Sequence, residues 1–262
     1  MVLKYWLIDD LYATTYGRGV LNNLTGTPQY LSWLARTVRP YLGDAVLEVN
    51  AGIGNLSGRL MARRILYVAA EKDPLHLHAL RNRFLRTPNV VVRRIDPEVP
   101  EDLAAMDSCF DTVLCLNVLE YLDDPAAVLR SLSATLKPGG RVVALMPHSP
   151  ALFGSLDRSM GHKRRYSAAA ARQLLEGEGF TVERVADFNK AGAPPWWIYS
   201  RVAGKRRINK LVLKIFDKTV WIWRRLDRLM PWPGLSLLVA ARKSAAVPAP
   251  APTDSPAAVL SR

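Results

Sequence analysis

Cysteine is almost absent from this chain. Cys109 and Cys115 are the two it has in 262 residues, and they lie close together beside one predicted strand. They supply neither a disulfide framework nor zinc-ligand spacing, so a reducing compartment, the cytoplasm, is the expected setting. No apolar run reaches the roughly 18 residues that span a bilayer. The opening stretch MVLKYWLIDDLY meets Asp9 and Asp10 after a very short apolar run, which does not read as a secretory leader. The sequence shows no P-loop pattern, no metal-ligand cluster and no internal repeat. Acids are scarce in one region. Between residues 201 and 243, twelve Lys and Arg face only Asp217 and Asp227, a local excess of +10 in a chain whose total is +13. An excess placed so unevenly points to a polyanionic neighbour: membrane lipid, nucleic acid or a phosphorylated substrate.

What is present supports a sizeable core. Some 49% of the residues are apolar, and the length suits one α/β domain with an insertion, or two small domains. Tyr30, Leu31, Leu34 and Val38 share one helical face, so residues 1–43 are expected to form a helical cap ahead of the break at Gly43-Asp44. Strands are then expected at 45–49, 65–70, 90–95, 112–116 and 141–146. Helices are expected at 56–63, 75–85 and 126–136, the last closed by Lys137-Pro138-Gly139-Gly140. This alternation implies right-handed crossovers and a parallel sheet. A helix at 167–177 and a strand at 180–188 follow. A long basic-aromatic stretch then precedes a seventh strand at 235–241. Residues 244–262, mostly Ala, Pro and Ser, read as a disordered tail.

Residues 46–55, VLEVNAGIGN, run from a strand into a small-residue turn. Gly52 and Gly54 let a backbone approach a ligand. Asn50 stands at the turn's first position and is among the few non-glycine residues that tolerate a left-handed backbone. The dinucleotide fingerprint G-x-G-x-x-G fails at two of its three glycines, and Glu48 suits a cationic ligand better than a pyrophosphate. Glu71 ends the second strand, where an acid can accept both hydroxyls of a ribose. Asp96 ends the third, where a carboxylate can meet the exocyclic amine of an adenine, and Asn117 ends the fourth. Taken singly, Glu71 can be a helix cap and Asp96 a turn residue. Taken together, four polar groups at four successive strand ends suit a nucleoside with a positive centre and an amino-acid tail, such as S-adenosylmethionine.

At these residues the chain resembles the class I S-adenosylmethionine-dependent methyltransferases. VLEVNAGIGNLS is similar to their first motif, E/D-x-G-x-G-x-G, with Asn50 in place of its first glycine. VAAEKDP is similar to the second, FDTVLCLNVLEYLDDP to the fourth-strand motif and LKPGGRVVALMP to the fifth. The resemblance covers roughly residues 30–190 and resumes at 235–243. It implies a Rossmann-like α/β fold with seven strands, the last antiparallel and set between the fifth and sixth. The methyltransferase domain would be residues 44–243, with 194–234 as a helical insertion. It further implies that Glu48 and the turn Asn50, Ala51, Gly52 and Gly54 lie along the methionine moiety. Glu71, with Lys72 beside it, would hold the ribose, Asp96 the adenine, and Asn117 the site's border.

A second constellation, PHSPALFGSLDRSMGHKRRY at 147–166, follows the fifth strand. It resembles the GH-x-RRY segment of a bacterial subgroup whose members often occur beside or fused to glycosyltransferases acting on lipid-linked sugars. His162 is the first choice for a general base, because imidazole titrates near neutral pH. Tyr166 can orient the acceptor hydroxyl. Arg164 or Arg165 can bind a phosphate or carboxylate, and His148 is grouped with them as a substrate contact. The competing reading is that these side chains pin the loop through internal hydrogen bonds.

The basic-aromatic stretch at 194–234 holds five of the seven tryptophans. Ile208, Leu211, Val212, Ile215, Phe216, Val220, Trp223, Leu226 and Met230 recur at helical spacing, which makes one or two basic amphipathic helices. Three readings stand: a lid on anionic membrane at the inner membrane face, an RNA-binding surface, or a helical cover with solvated charges. The leading expectation is O-methylation of a small or lipid-linked acceptor, glycan or isoprenoid. An RNA methyltransferase and a non-catalytic cofactor-binding protein are the alternatives. The oligomeric state is not readable from the chain.

Overall fold

The computed structural model describes residues 26–244. The first part of the expected cap, residues 1–25, and nearly all of the expected tail lie outside them. Seven strands form one sheet in the order β3-β2-β1-β4-β5-β7-β6. They are β1 Ala45–Val49, β2 Leu66–Glu71, β3 Val90–Arg94, β4 Phe110–Leu116, β5 Leu136–Pro147, β6 Phe180–Phe188 and β7 Ser236–Lys243. Strands β1 to β5 pair in parallel. Strand β7 runs antiparallel between β5 and β6, as the resemblance implies.

Helices cover both faces. On one, α1 (Pro28–Val38) and α3 (Pro74–Phe84) place Leu34, Val38, Leu80 and Phe84 against Val46, Tyr67 and Val143. On the other, α5 (Pro125–Thr135) and α7 (Ala168–Gly177) set Leu129, Leu132, Ala171 and Leu175 against Leu47, Val113 and Val142. Burial on both faces explains why these strands read as continuous apolar runs rather than alternating ones. Two helix starts share one device. Asp73 accepts the amides of Leu75 and His76, Asp124 accepts that of Ala127, and a proline follows each, an N-cap followed by Pro at the first helical position.

Some boundaries move. The helix expected at 56–63 is the single turn α2, Ser57–Leu60, and an unexpected turn α4 forms at Glu101–Ala104. Lys137-Pro138-Gly139-Gly140 does not stop a helix in a loop. It lies inside β5, which pairs Leu136 with Phe110 and resumes at Thr112 after an irregularity. A short α6, Ser155–Met160, forms in the loop after β5.

The segment between β6 and β7 is helical. Helix α8 (Ala193–Trp197) continues as a π-helical turn at Ile198–Val202, and α9 spans Lys210–Leu226. Helix α9 leans on the start of α1: Asp217 accepts the amides of Gln29 and Tyr30, and the rings of Tyr30 and Phe216 lie 6.3 Å apart. Among the described residues no helix is long and apolar enough to cross a membrane.

The chain leaves β1 toward β2 on one side, and β4 lies on the other. Strand order therefore reverses between β1 and β4, and the crevice beyond their carboxyl ends is where ligands bind in open α/β sheets.

Candidate functional site

The turn after β1 is a run of left-handed residues: Asn50, Gly52 and Gly54 have φ of 53°, 59° and 78°. Asn50 thus holds the conformation its residue type permits. Its Oδ1 is buried and has no hydrogen-bond partner among the described residues. Ala51 is buried, and its amide donates to the Ala70 carbonyl. At Gly54 a Cβ would stand 2.6 Å from the Phe84 ring and 2.8 Å from Leu80, so this glycine serves the packing of α3 against the turn. Glu48 is buried and engaged within the protein. It accepts hydrogen bonds from Ser57 Oγ and from the Tyr67 hydroxyl at 2.8 Å. Burial pushes its carboxyl up to about 7; those two bonds oppose the rise and Glu71 adds to it.

Glu71 organises the turn from the neighbouring strand. Its Oε2 accepts the Gly52 amide at 2.7 Å and its Oε1 the Asp73 amide at 2.8 Å. Each oxygen keeps a further lone pair. Lys72 lies with Asp96 at 3.2 Å and Glu98 at 3.0 Å, so its ammonium is engaged beside the position expected to meet an adenine. Asp96 also accepts the Glu98 amide. Asn117, exposed just past β4, is left-handed at φ 56°, and its amide donates to Leu145. Glu71 and the turn therefore meet directly at the ends of β1 and β2, Asp96 follows β3, and Asn117 follows β4.

The second constellation is a closed network centred on Asp157, which the sequence counted among the segment's polar side chains without a specific role. Asp157 is fully buried. It accepts from the Gly154 amide at 3.0 Å, Arg165 Nε at 2.7 Å and Trp196 Nε1 at 3.3 Å, and His162 Nδ1 lies 3.1 Å away. Burial alone would raise its carboxyl. The bond from His162, the Arg165 charge and the Gly154 amide reverse this and hold it below the usual carboxylate range. On the other side of the imidazole, His162 Nε2 lies 3.2 Å from the Tyr121 hydroxyl. Burial, with Glu120 and Asp157 nearby, lifts the Tyr121 phenol above its usual range, so it stays protonated.

The remaining expected contacts face inward. The Arg165 side chain is 1% exposed, and its other bonds go to the His148 and Leu235 carbonyls. No open face is left on it for a substrate anion. Tyr166 is buried and donates to the Leu119 carbonyl. Arg164 donates to the Leu122 and Asp123 carbonyls. His148 Nδ1 lies 2.8 Å from the Tyr166 carbonyl, and its Nε2 is 3.4 Å from Asp187.

Sequence reasoning grouped Asp157 with the polar side chains of 147–166 but missed Tyr121, Trp196 and Glu120 as members of this network. Glu120 is fully buried with both carboxylate oxygens unpartnered among the described residues, and burial pushes it up to about 8. Tyr121 and Glu120 sit in the fourth-strand motif, but nothing local pairs them with residue 162.

These residues fit a sulfonium nucleoside. An orphaned acceptor at Asn50 Oδ1 suits the ammonium of an amino-acid tail, and the free lone pairs of Glu71 suit ribose hydroxyls. The first position of the motif, filled by Asn instead of Gly, thus adds an acceptor without breaking the turn.

Residues 47–142 match the family model described as a methyltransferase domain. A ubiquinone biosynthesis O-methyltransferase of Xanthomonas euvesicatoria is 34% identical over 187 residues, which is 66% of this chain and 76% of that one. The protein of that name from Aeromonas salmonicida is 32% identical over 121 residues; the match covers 44% of this chain and 48% of the relative, so the chain spans about half of its length. An S-adenosylmethionine dependent methyltransferase from Mesorhizobium loti superposes with a TM-score of 0.55 at 16% identity, over 80% of this chain and 95% of that one, a likeness of fold alone. With its motifs in family order, its antiparallel seventh strand and a relative matched over most of its length, the chain belongs to the class I S-adenosylmethionine-dependent methyltransferases.

Proposed function

We propose that the protein methylates a hydroxyl oxygen of a small or lipid-linked acceptor, a glycan or isoprenoid compound, at the inner face of the membrane. The observation that carries the choice of oxygen is the Tyr121–His162–Asp157 alignment beside the carboxyl end of β4. The names of the curated relatives, O-methyltransferases of ubiquinone biosynthesis, support the same class of acceptor.

S-adenosylmethionine supplies a methyl group already activated on sulfur, so the protein's part is to align the acceptor and remove its proton. The acceptor hydroxyl gives its proton to the Tyr121 oxygen as the Tyr121 proton passes to His162 Nε2. Asp157 steadies the imidazolium from Nδ1 and keeps the ring turned toward Tyr121. Tyr121 remains a neutral relay throughout. His148, Arg164, Arg165 and Tyr166 hold the loop that carries His162, rather than the acceptor itself.

Labelled S-adenosylmethionine, offered with bacterial membrane extract and separately with tRNA, tests the class of acceptor. Label is expected in the lipid-extractable fraction; label in tRNA would assign the chain to RNA methylation. Once an acceptor is in hand, Tyr121→Phe and His162→Gln are each expected to lower kcat roughly a hundredfold or more. Donor affinity by calorimetry should be unchanged. Full turnover in both variants would remove the relay.

A further inference from the structure

Helix α9 has two faces, and one has no partner among the described residues. Inward, Val220 is buried, Phe216 meets Tyr30, and Asp217 holds the first amides of α1. Asp227, the other acid between residues 201 and 243, is also buried and accepts the Lys190 amide at 2.6 Å. The segment's two acids are therefore both turned into the domain, and its cations alone remain outside. Outward, Leu211 and Ile215 are 63% and 56% exposed, and Leu226 is exposed with them. At 100° per residue these three fall within about 60° of arc. Lys214, Lys218 and Arg225 border this stripe on one side, all exposed. The amphipathic pattern in the sequence thus divides: part of its apolar stripe packs inward and part faces water.

Exposed apolar surface is concentrated here. Of the fourteen large apolar side chains left exposed among the described residues, ten lie between 197 and 232, in about a sixth of the described chain. Trp221, 57% exposed, stands beyond the bordering cations.

We propose that this face of α9 docks on an anionic lipid bilayer, the aliphatic stripe entering the headgroup–acyl boundary and the cations lying over lipid phosphates. The chemistry selects this occupant. A bilayer interface takes aliphatic stripe, indole and cations together. Single-stranded RNA needs cations and stacking rings but gains nothing from a row of Leu and Ile. A second copy in a two-fold contact would set the same acid-free cations against each other. The segment also leaves the sheet at Phe188 and returns at Ser236, the edge that pairs with the carboxyl end of β5. Docking there brings the site's edge toward the lipid surface. The use of such docking rests on the lipid-linked acceptor proposed above.

Flotation of the purified full-length protein, with phosphatidylcholine vesicles with and without phosphatidylglycerol, tests the proposal. The protein is expected to float only when phosphatidylglycerol is present. Lys214→Gln/Lys218→Gln/Arg225→Gln should weaken binding on the order of a hundredfold, given the usual contribution of each cation at an anionic surface. Leu211→Ser/Ile215→Ser should weaken it at least about tenfold. Both variants should keep the parent Tm, since the altered side chains face outward. Absence of flotation, or flotation indifferent to the Leu211→Ser/Ile215→Ser change, would overturn the proposal. Binding to tRNA that survives the serine variant and fails in the glutamine variant would assign the face to RNA. A dimer abolished by Leu211→Ser would assign it to self-association. Flotation without methylated lipid would sink the acceptor reading and leave docking standing; methylated lipid without flotation would do the reverse.

Discussion

At Asn50 the backbone and the side chain have separate tasks. The left-handed backbone closes the turn, as glycine would, while Oδ1 stays buried and unpartnered among the described residues. A family-pattern argument says that glycine here would improve the site. The geometry says the opposite. Asn50→Gly removes this orphaned acceptor, which suits the donor's ammonium, and leaves the φ of the turn acceptable. Its expected effect is about tenfold weaker binding of S-adenosylhomocysteine in calorimetry, the loss of one hydrogen bond to a charged group, with Tm nearly unchanged. Tighter binding in the variant would show that Oδ1 only obstructs. His162 shows the limit of reading single residues: its type suggested proton transfer, but both of its nitrogens already face protein groups. In the proposed relay the acceptor-facing role falls to Tyr121, which the sequence left unremarked.

Between elements, the insertion and the loop after β5 are stitched together residue by residue. Ser155 Oγ donates to the Ser200 carbonyl at 2.8 Å, Ser159 Oγ to Arg206 at 2.7 Å, and Arg201 to Phe153 at 3.0 Å. Trp196 reaches Asp157 and lies under the Arg165 guanidinium, 4.8 Å from its ring centroid. Gly154 permits this approach, because a Cβ there would stand 2.2 Å from Ser200 Oγ. Gly154→Ala is expected to destabilise by about 1–3 kcal/mol through overpacking, measured by urea unfolding. Adding Ser200→Gly should recover much of the loss; a double variant no better than the single one would place the strain elsewhere. The strands and the helices expected at 75–85 and 126–136 were legible because their signals are local. Lys137–Gly140 misled because Pro and Gly punctuate turns, whereas here they tolerate an irregular stretch of β5 opposite Phe110. The Tyr121–His162–Asp157–Trp196 chain was illegible because its outer links join residues 41 and 39 positions apart, and no periodicity in the sequence encodes such contacts.

Across the whole molecule, charge is sorted by depth. Cations of the insertion lie outside, while Glu48 and Glu120 are buried with carboxyls pushed up to about 7 and about 8. A carboxyl whose folded value lies above its unfolded value, near 4.3, binds more protons in the folded state. Its contribution is complete below about pH 4.3 and is lost as pH rises through the folded value. Asp111, Asp157 and Glu183 shift the other way. What they contribute is present above their unfolded values and disappears as the medium becomes more acidic. The two sets together place maximum stability on the acid side of neutrality, and Tm should fall from about pH 5 to pH 8. Glu120→Gln isolates one part of that slope, because an amide cannot ionise. Its Tm is expected to fall less over this range and to exceed the parent's at pH 8, by an amount on the order of 3 kcal/mol in free energy. Parallel profiles for parent and variant would mean that Glu120 ionises as freely in the fold as outside it, and the buried carboxyl would then need a partner that this packing does not supply.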